Sequence, residues 1–308
     1  MGVLLLRARA GIVGCVPLNH YRETQYWFEL AGNRRDNTLM KNASSLTDEN
    51  EPHVLFTQHD GIATLTLNRP RRFNPLSEAM LAELAQHLDA VASDSKLRAV
   101  VLAARGPAYC AGHDLREMRA QPSQDYYKAL FQKCTEVMLK IVECPVPVIA
   151  RVQGLATAAG CQLVATCDLA VAADTARFAV SGVTLGLFCS TPSVALVRNV
   201  PRKQSFEMLI TGDFIDAPTA LRYGLVNRIG ASQRVDSMVR ALCENIKRHP
   251  PAAVRTGKRL FYRDSEQSLR DAYQHAGDVM ACNMMEQDTL EGVQAFLDKR
   301  EPHWPHRE

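Results

Sequence analysis

Apolar and polar residues alternate on either side of Asp60 and Gly61 in VLFTQHDGIATLTL (residues 54–67). The pattern predicts two strands joined by a tight turn, because an Asp–Gly pair readily takes the positive φ angles that such turns need. After Asn68, Arg69 and Pro70 the period changes, and Met80, Leu81, Leu84, Leu88 and Val91 recur at helical spacing behind Ser77, a side chain suited to cap a helix. The unbroken apolar run LRAVVLAA (97–104) predicts a buried strand. Tyr127, Leu130, Phe131, Cys134, Val137, Met138 and Ile141 trace a second helix, and PVIARV (147–152) a further strand. A helical stretch follows Gly154, then the short strand LAVAA (169–173), a loop-rich segment over 178–192, and a mainly helical pattern from Pro201 to EGVQAFLDKREPHW. Strands and helices in this order predict a mixed α/β layered domain.

Composition narrows the function. The 308 residues carry 36 Lys and Arg against 33 Asp and Glu, a near balance without the field of a dedicated nucleic-acid binder. No run approaches the length of a membrane span. The nine cysteines are scattered without a C-x-x-C pair, which argues for a reducing compartment and against a disulfide framework or a zinc site. Residues 1–51 read apart from the rest: the first 22 hold Arg7, Arg9 and Arg22 and no acid, compatible with a mitochondrial transit peptide and equally with a disordered extension. The expected location is the mitochondrial matrix, or the cytoplasm if the extension is not a signal. The sequon at 42–44 is then a chance match. We expect a core over 52–251 and a helical C-terminal region over 252–308.

No glycine-rich nucleotide motif opens a helix after a strand. Two other loops follow predicted strands: GPAYCAGHDL (106–115) and QGLATAAGCQL (153–163). Together with LNRPRRFNPLS, FAVSGVTLGLF and AFLDKR, in that order over residues 53–300, they resemble the crotonase, or enoyl-CoA hydratase/isomerase, superfamily. The resemblance implies a spiral of ββα units with a helical C-terminal oligomerisation region, a homotrimer or hexamer, and an acyl-CoA substrate. It implies no metal, and no cofactor besides the coenzyme A of the thioester itself. The thioester oxygen would lie between the backbone amides of His113 and Ala159, the second at a helix start that favours negative charge. Gly112, Ala158, Ala159 and Gly160 would admit the ligand to the backbone or simply let two elements pack closely, and Ala111 would line the same substrate site. Arg71, Arg72 and Arg116 are candidates for the CoA phosphates, or ordinary surface charges. Phe296 and Lys299 resemble residues that close the nucleotide end, and Asp114 either lines the site or fixes its own loop.

The family's water addition uses two glutamates, and the aligned positions here are Gln162 and Gly182. A third acid position used by other members is Ser190. An amide, a hydrogen and a hydroxyl cannot take a proton near neutral pH, so two-glutamate hydration is disfavoured. Buried packing is the expected role of Cys110, Cys161 and Cys189. Three functions remain open: enolate chemistry on a CoA thioester, acyl-CoA binding without catalysis, or weak hydration with His113 or Asp114 as an unusual base.

Overall fold

The structure, a computed structural model, describes residues 51–304. The readings of the first 50 residues, including the targeting signal and the sequon, lie outside the described residues.

The predicted hairpin opens the fold. Strands β1 (Val54–His59) and β2 (Ile62–Leu67) pair antiparallel, with Asp60 and Gly61 at φ 49° and 73°. Ser77 caps helix α1 (Glu78–Ser93) by accepting a hydrogen bond from the Met80 amide at 3.1 Å, and the five apolar positions of the predicted period are all buried.

From here the chain winds as a spiral that deals its strands alternately to two sheets. The first turn contains β3 (Ala99–Ala104) and β4 (Ala108–Cys110), then α2 (Leu115–Ala120) and α3 (Gln124–Glu143). The second has β5 (Val148–Val152), β6 (Leu155–Thr157) and α4 (Ala159–Thr166); the third has β7 (Leu169–Ala173), β8 (Arg177–Ala179), α5 (Ser190–Asn199) and α6 (Arg202–Thr211). The five long strands and the three-residue β10 form a six-stranded sheet, β1-β2-β3-β5-β7-β10, and the other short strands a four-stranded sheet, β4-β6-β8-β9. Successive spiral strands pair in parallel within each sheet. This is the mixed α/β spiral expected from the resemblance. The three-residue strands were read as loop because they are too short to show a period; only the turn below aligns them.

The large sheet is covered on both faces, which explains its unbroken apolar runs. Ala99, Val101 and Ala103 join Val235, Val239 and Cys243 of α8 (Val235–Lys247) in one cluster, while Val100, Leu102 and Ala104 face the main core. Between α6 and α8 lie β9 (Ile215–Asp216), α7 (Ala217–Arg222) and β10 (Arg228–Gly230). The C-terminal helices are α9 (Pro251–Ser265), α10 (Leu269–Met284) and α11 (Gln287–Leu297). A buried ammonium fastens α9 to the core: Lys258 Nζ donates to the Ile141 and Val146 carbonyls at 2.9 and 3.1 Å and to Asp168 Oδ2 at 2.7 Å. Asp168 also accepts from the Val148 amide and the Tyr262 hydroxyl. By contrast Leu269, Tyr273, Met280 and Phe296 stand exposed on α10 and α11. No helix among the described residues is long and apolar enough to cross a membrane.

Candidate functional site

The two motif loops meet where the first spiral turn packs on the second. Gly112 takes φ 92°, a left-handed value that favours glycine. A Cβ there would lie 3.0 Å from Ala158 Cβ and 3.3 Å from the Ala159 nitrogen. The residue preceding His113 therefore touches the first amide of α4. The 111–113 backbone is pinned from the other side, since the Ala111 amide donates to Phe73 O at 3.0 Å and Gly112 O accepts from the Leu76 amide at 2.7 Å.

The early loop is itself held by Asn74, a buried residue at φ 52°. Its Oδ1 accepts from the Arg69 amide at 2.7 Å, and its Nδ2 donates to the Arg105 and Ala108 carbonyls at 2.9 Å each. Sequence reasoning passed over Asn74; its only signal was an asparagine before proline in a turn-like stretch.

Helix α4 begins inside the protein. Ala159 is 1% exposed, and no side chain caps the helix start. Ala158, the preceding residue, sits at φ 50° and ψ −122°, a strained conformation for a residue with a Cβ. Its amide donates to Ala179 O at 3.0 Å, which fixes the turn on the third spiral turn. Among the described residues, the amides of His113 and Ala159 donate to no protein acceptor. Buried helix starts need such partners, and the helix dipole favours an anion or a carbonyl oxygen there.

Gly160 has a different reason to be glycine. A Cβ there would fall 2.1 Å from the Cys110 carbonyl oxygen. Close packing of α4 on β4 is by itself a sufficient reason for glycine at this position.

The acid positions are neutral, and one is also filled. Gln162 is 5% exposed, and its Oε1 is buried without a hydrogen-bond partner. A Cβ on Gly182 would lie 2.4 Å from Leu187 O and 2.7 Å from Cys189 Sγ, and the Gly182 amide donates to that sulfur at 3.2 Å. The 183–189 segment thus occupies the space where a side chain from position 182 would start. Ser190 is exposed at the first position of α5, its hydroxyl donating to Phe188 O at 3.3 Å. Burial pushes the Cys110 and Cys161 thiols up to about 12 and raises Cys189 as well. These sulfurs are packing groups rather than thiolate nucleophiles.

Asp114 acts within its own loop. Its carboxylate accepts from the Arg116 and Glu117 amides at 3.0 and 3.4 Å, capping α2, and from Arg72 Nη2 at 2.6 Å. Asp114 thus fixes its own loop, with Arg72 as its ion-pair partner. Arg71 and Arg116 are exposed on the flank. Phe296 and Lys299 are exposed at the end of α11, and no hydrogen bond or ion pair among the described residues joins them to the two loops.

His113 is half-buried. Its Nδ1 lies 3.3 Å from Leu76 O, its ring packs on Phe131 with centroids 5.4 Å apart, and Nε2 is buried without a partner. Burial lowers its pKa below the usual 6.5, against a smaller opposing effect of the Leu76 carbonyl.

The chain as a whole is similar to known proteins. The enoyl-CoA hydratase/isomerase family description matches residues 57–307. The mitochondrial enoyl-CoA hydratase domain-containing protein 3 of Mus musculus is 45% identical over 84% of this chain and 86% of its own length. Its Homo sapiens counterpart is 43% identical over 84% and 86%. Among solved structures, an enoyl-CoA hydratase of Mycobacterium smegmatis superposes with a TM-score of 0.82 at 59% identity, covering 82% of this chain and 99% of that one. The human domain-containing protein 3 gives 0.80 at 43%, covering 82% and 100%.

Proposed function

Because the chain belongs to the enoyl-CoA hydratase/isomerase family, we propose that it binds an acyl-CoA of lipid metabolism with the thioester oxygen between the amides of His113 and Ala159. Any chemistry then runs through the enolate that these donors stabilise, and not through water addition by two carboxylates. One observation carries this reading: Gly112 rests against the Ala159 nitrogen, which brings two distant segments together at a buried, uncapped helix start. Preorganised donors of this kind are worth about 10²–10³ in rate each. Positioned acids and bases add about 10²–10⁴ each, and the family's pair is missing here.

Arg71 and Arg116, on the flank of the same loops, are the candidates for the CoA phosphates. Gln162, whose oxygen lacks a protein partner, serves to orient a hydrogen-bond donor of the ligand or a water molecule. The exposed apolar residues of α10 and α11 support self-association as a homotrimer or hexamer. A monomeric mass in light scattering would refute that assembly. The mitochondrial names of the relatives support a matrix location.

A second reading, acyl-CoA binding without turnover, is favoured by the packing of Leu187 and Cys189 into the Gly182 position. The decisive experiment is mass spectrometry of CoA esters that co-purify with the protein, followed by incubation. A retained ester that changes supports enolate chemistry; one retained unchanged supports the binder. Failure to bind any CoA thioester defeats both.

A further inference from the structure

One side chain beside the two loops holds a buried nitrogen without a partner, that of His113. A carbonyl oxygen only accepts hydrogen bonds, so at 3.3 Å from Leu76 O the Nδ1 of His113 must carry the proton. Nε2 is then a lone pair, and it is buried with no partner. The Leu76 contact and the Phe131 ring fix the direction of that lone pair. Leaving a buried acceptor unpaired is costly, and a catalytic role is one of the explanations for such a group.

Other groups near the two loops cannot do this work. Gln162, Gly182 and Ser190 carry no base, Asp114 is engaged by Arg72 and two amides, and burial holds the Cys110 and Cys161 thiols at about 12.

Resting on the reading that a CoA thioester binds here, we propose that the His113 imidazole takes a proton from the carbon next to the thioester carbonyl. The C–H bond breaks, its electron pair enters the enolate, and the enolate oxygen is held by the His113 and Ala159 amides. The proton moves to Nε2, and the imidazolium keeps its Nδ1–H on Leu76. Return of the proton to the same carbon restores the starting thioester. In heavy water the imidazolium exchanges with solvent first, so the carbon acquires deuterium without net reaction.

The neutral form is the active one, and burial keeps the ring neutral above a pKa lower than 6.5. No charged side chain is among the causes of that shift. Of the charged groups that begin the neighbouring elements, Asp114 pairs with Arg72. Glu78 pairs with Lys133, and Glu117 accepts from the Glu78 amide.

The test uses the full chain and butyryl-CoA in heavy water, following exchange of the protons next to the carbonyl by NMR, with binding measured separately by calorimetry. Wild type is expected to exchange them above the protein-free rate, with a plateau at neutral pH and a fall on the acid side centred below 6.5. His113→Asn retains a donor for Leu76 and the backbone amide but lacks Nε2; it should bind butyryl-CoA within a few-fold and lose exchange by about 10²–10⁴. His113→Gln serves in its place if melting shows that the first variant does not fold. Undiminished exchange in a folded variant, or saturable binding by wild type without exchange, overturns the proposal while leaving the binding site standing. Absence of butyryl-CoA binding by wild type overturns the proposal together with the reading beneath it.

Discussion

Replacing Ala159 by proline removes the one hydrogen that this reading needs. Ala159 is the first residue of α4, so its N–H lies outside the helical ladder, but Ala158 at φ 50° and ψ −122° is far from the extended backbone that a residue before proline requires, so circular dichroism must first show that the variant folds. The added ring atoms enter a site that is 1% exposed, so overpacking of about 1–3 kcal/mol is expected. Ala159→Val adds comparable bulk and retains the N–H, and it isolates the donor. A neutral carbonyl loses about 0.5–1.5 kcal/mol with one hydrogen bond, roughly a 2- to 12-fold weaker affinity for butyryl-CoA. A CoA analogue carrying full negative charge at the carbonyl position models the enolate, and its affinity should fall by about 10²–10³, the range for one oxyanion donor. Titration calorimetry of both ligands against the two variants reads the difference. Equal losses in Ala159→Pro and Ala159→Val, or an anionic analogue no more sensitive than the thioester, would show that this amide does not face the ligand oxygen.

Other perturbations follow from the same packing. Gly182→Glu should lower stability, because its Cβ would fall 2.4 Å from Leu187 O, and its combination with Gln162→Glu should not establish crotonyl-CoA hydration; hydration well above either single variant would contradict the filled pocket. Ala158→Gly relieves a positive-φ strain of about 1–3 kcal/mol and gives back about 0.4–1 through the unfolded chain, so urea midpoints should rise. An unchanged or lower midpoint would mean that the turn is not strained. Lys258→Ala leaves Asp168 and two carbonyls buried without their ammonium, a loss of about 3–5 kcal/mol. At about 2–4 °C per kcal/mol for a chain of this size, calorimetry should record a fall of roughly 6–20 °C, and a shift below about 2 °C would refute the clasp.

The long strands of the large sheet and helices α1 and α3 were legible, the strands through alternation or unbroken apolar runs and the helices through their period, whereas the three-residue β10 was not. Ser77, the α1 stripe and the Asp60–Gly61 turn all signalled locally. The second sheet was hidden in stretches of three residues, whose register exists only through the turns above and below. For the site, the neutral residues at 162, 182 and 190 were visible in sequence, as was the anomaly they pose. The occupied space at Gly182 was not, since it arises from a segment returning through Leu187 and Cys189. Nor was the tautomer of His113, which depends on a carbonyl 37 positions away. Asn74 and the Lys258–Asp168–Tyr262 cluster escaped notice for the same reason: their partners are distant in sequence, and a single polar residue carries no pattern.

The spiral also separates two kinds of change. The contact that would polarise a carbonyl lies on the seam between the first and second turns, at Gly112 and Ala159. The positions that would supply proton-transfer carboxylates straddle the next seam, with Gln162 on one side and Gly182 and Ser190 on the other. The two seams are tied at one point, because the Ala158 amide beside the first donates to Ala179 O of the third turn. A substitution at Ala179 that displaces its carbonyl would therefore reach the Ala158–Ala159 turn from the far side of the spiral.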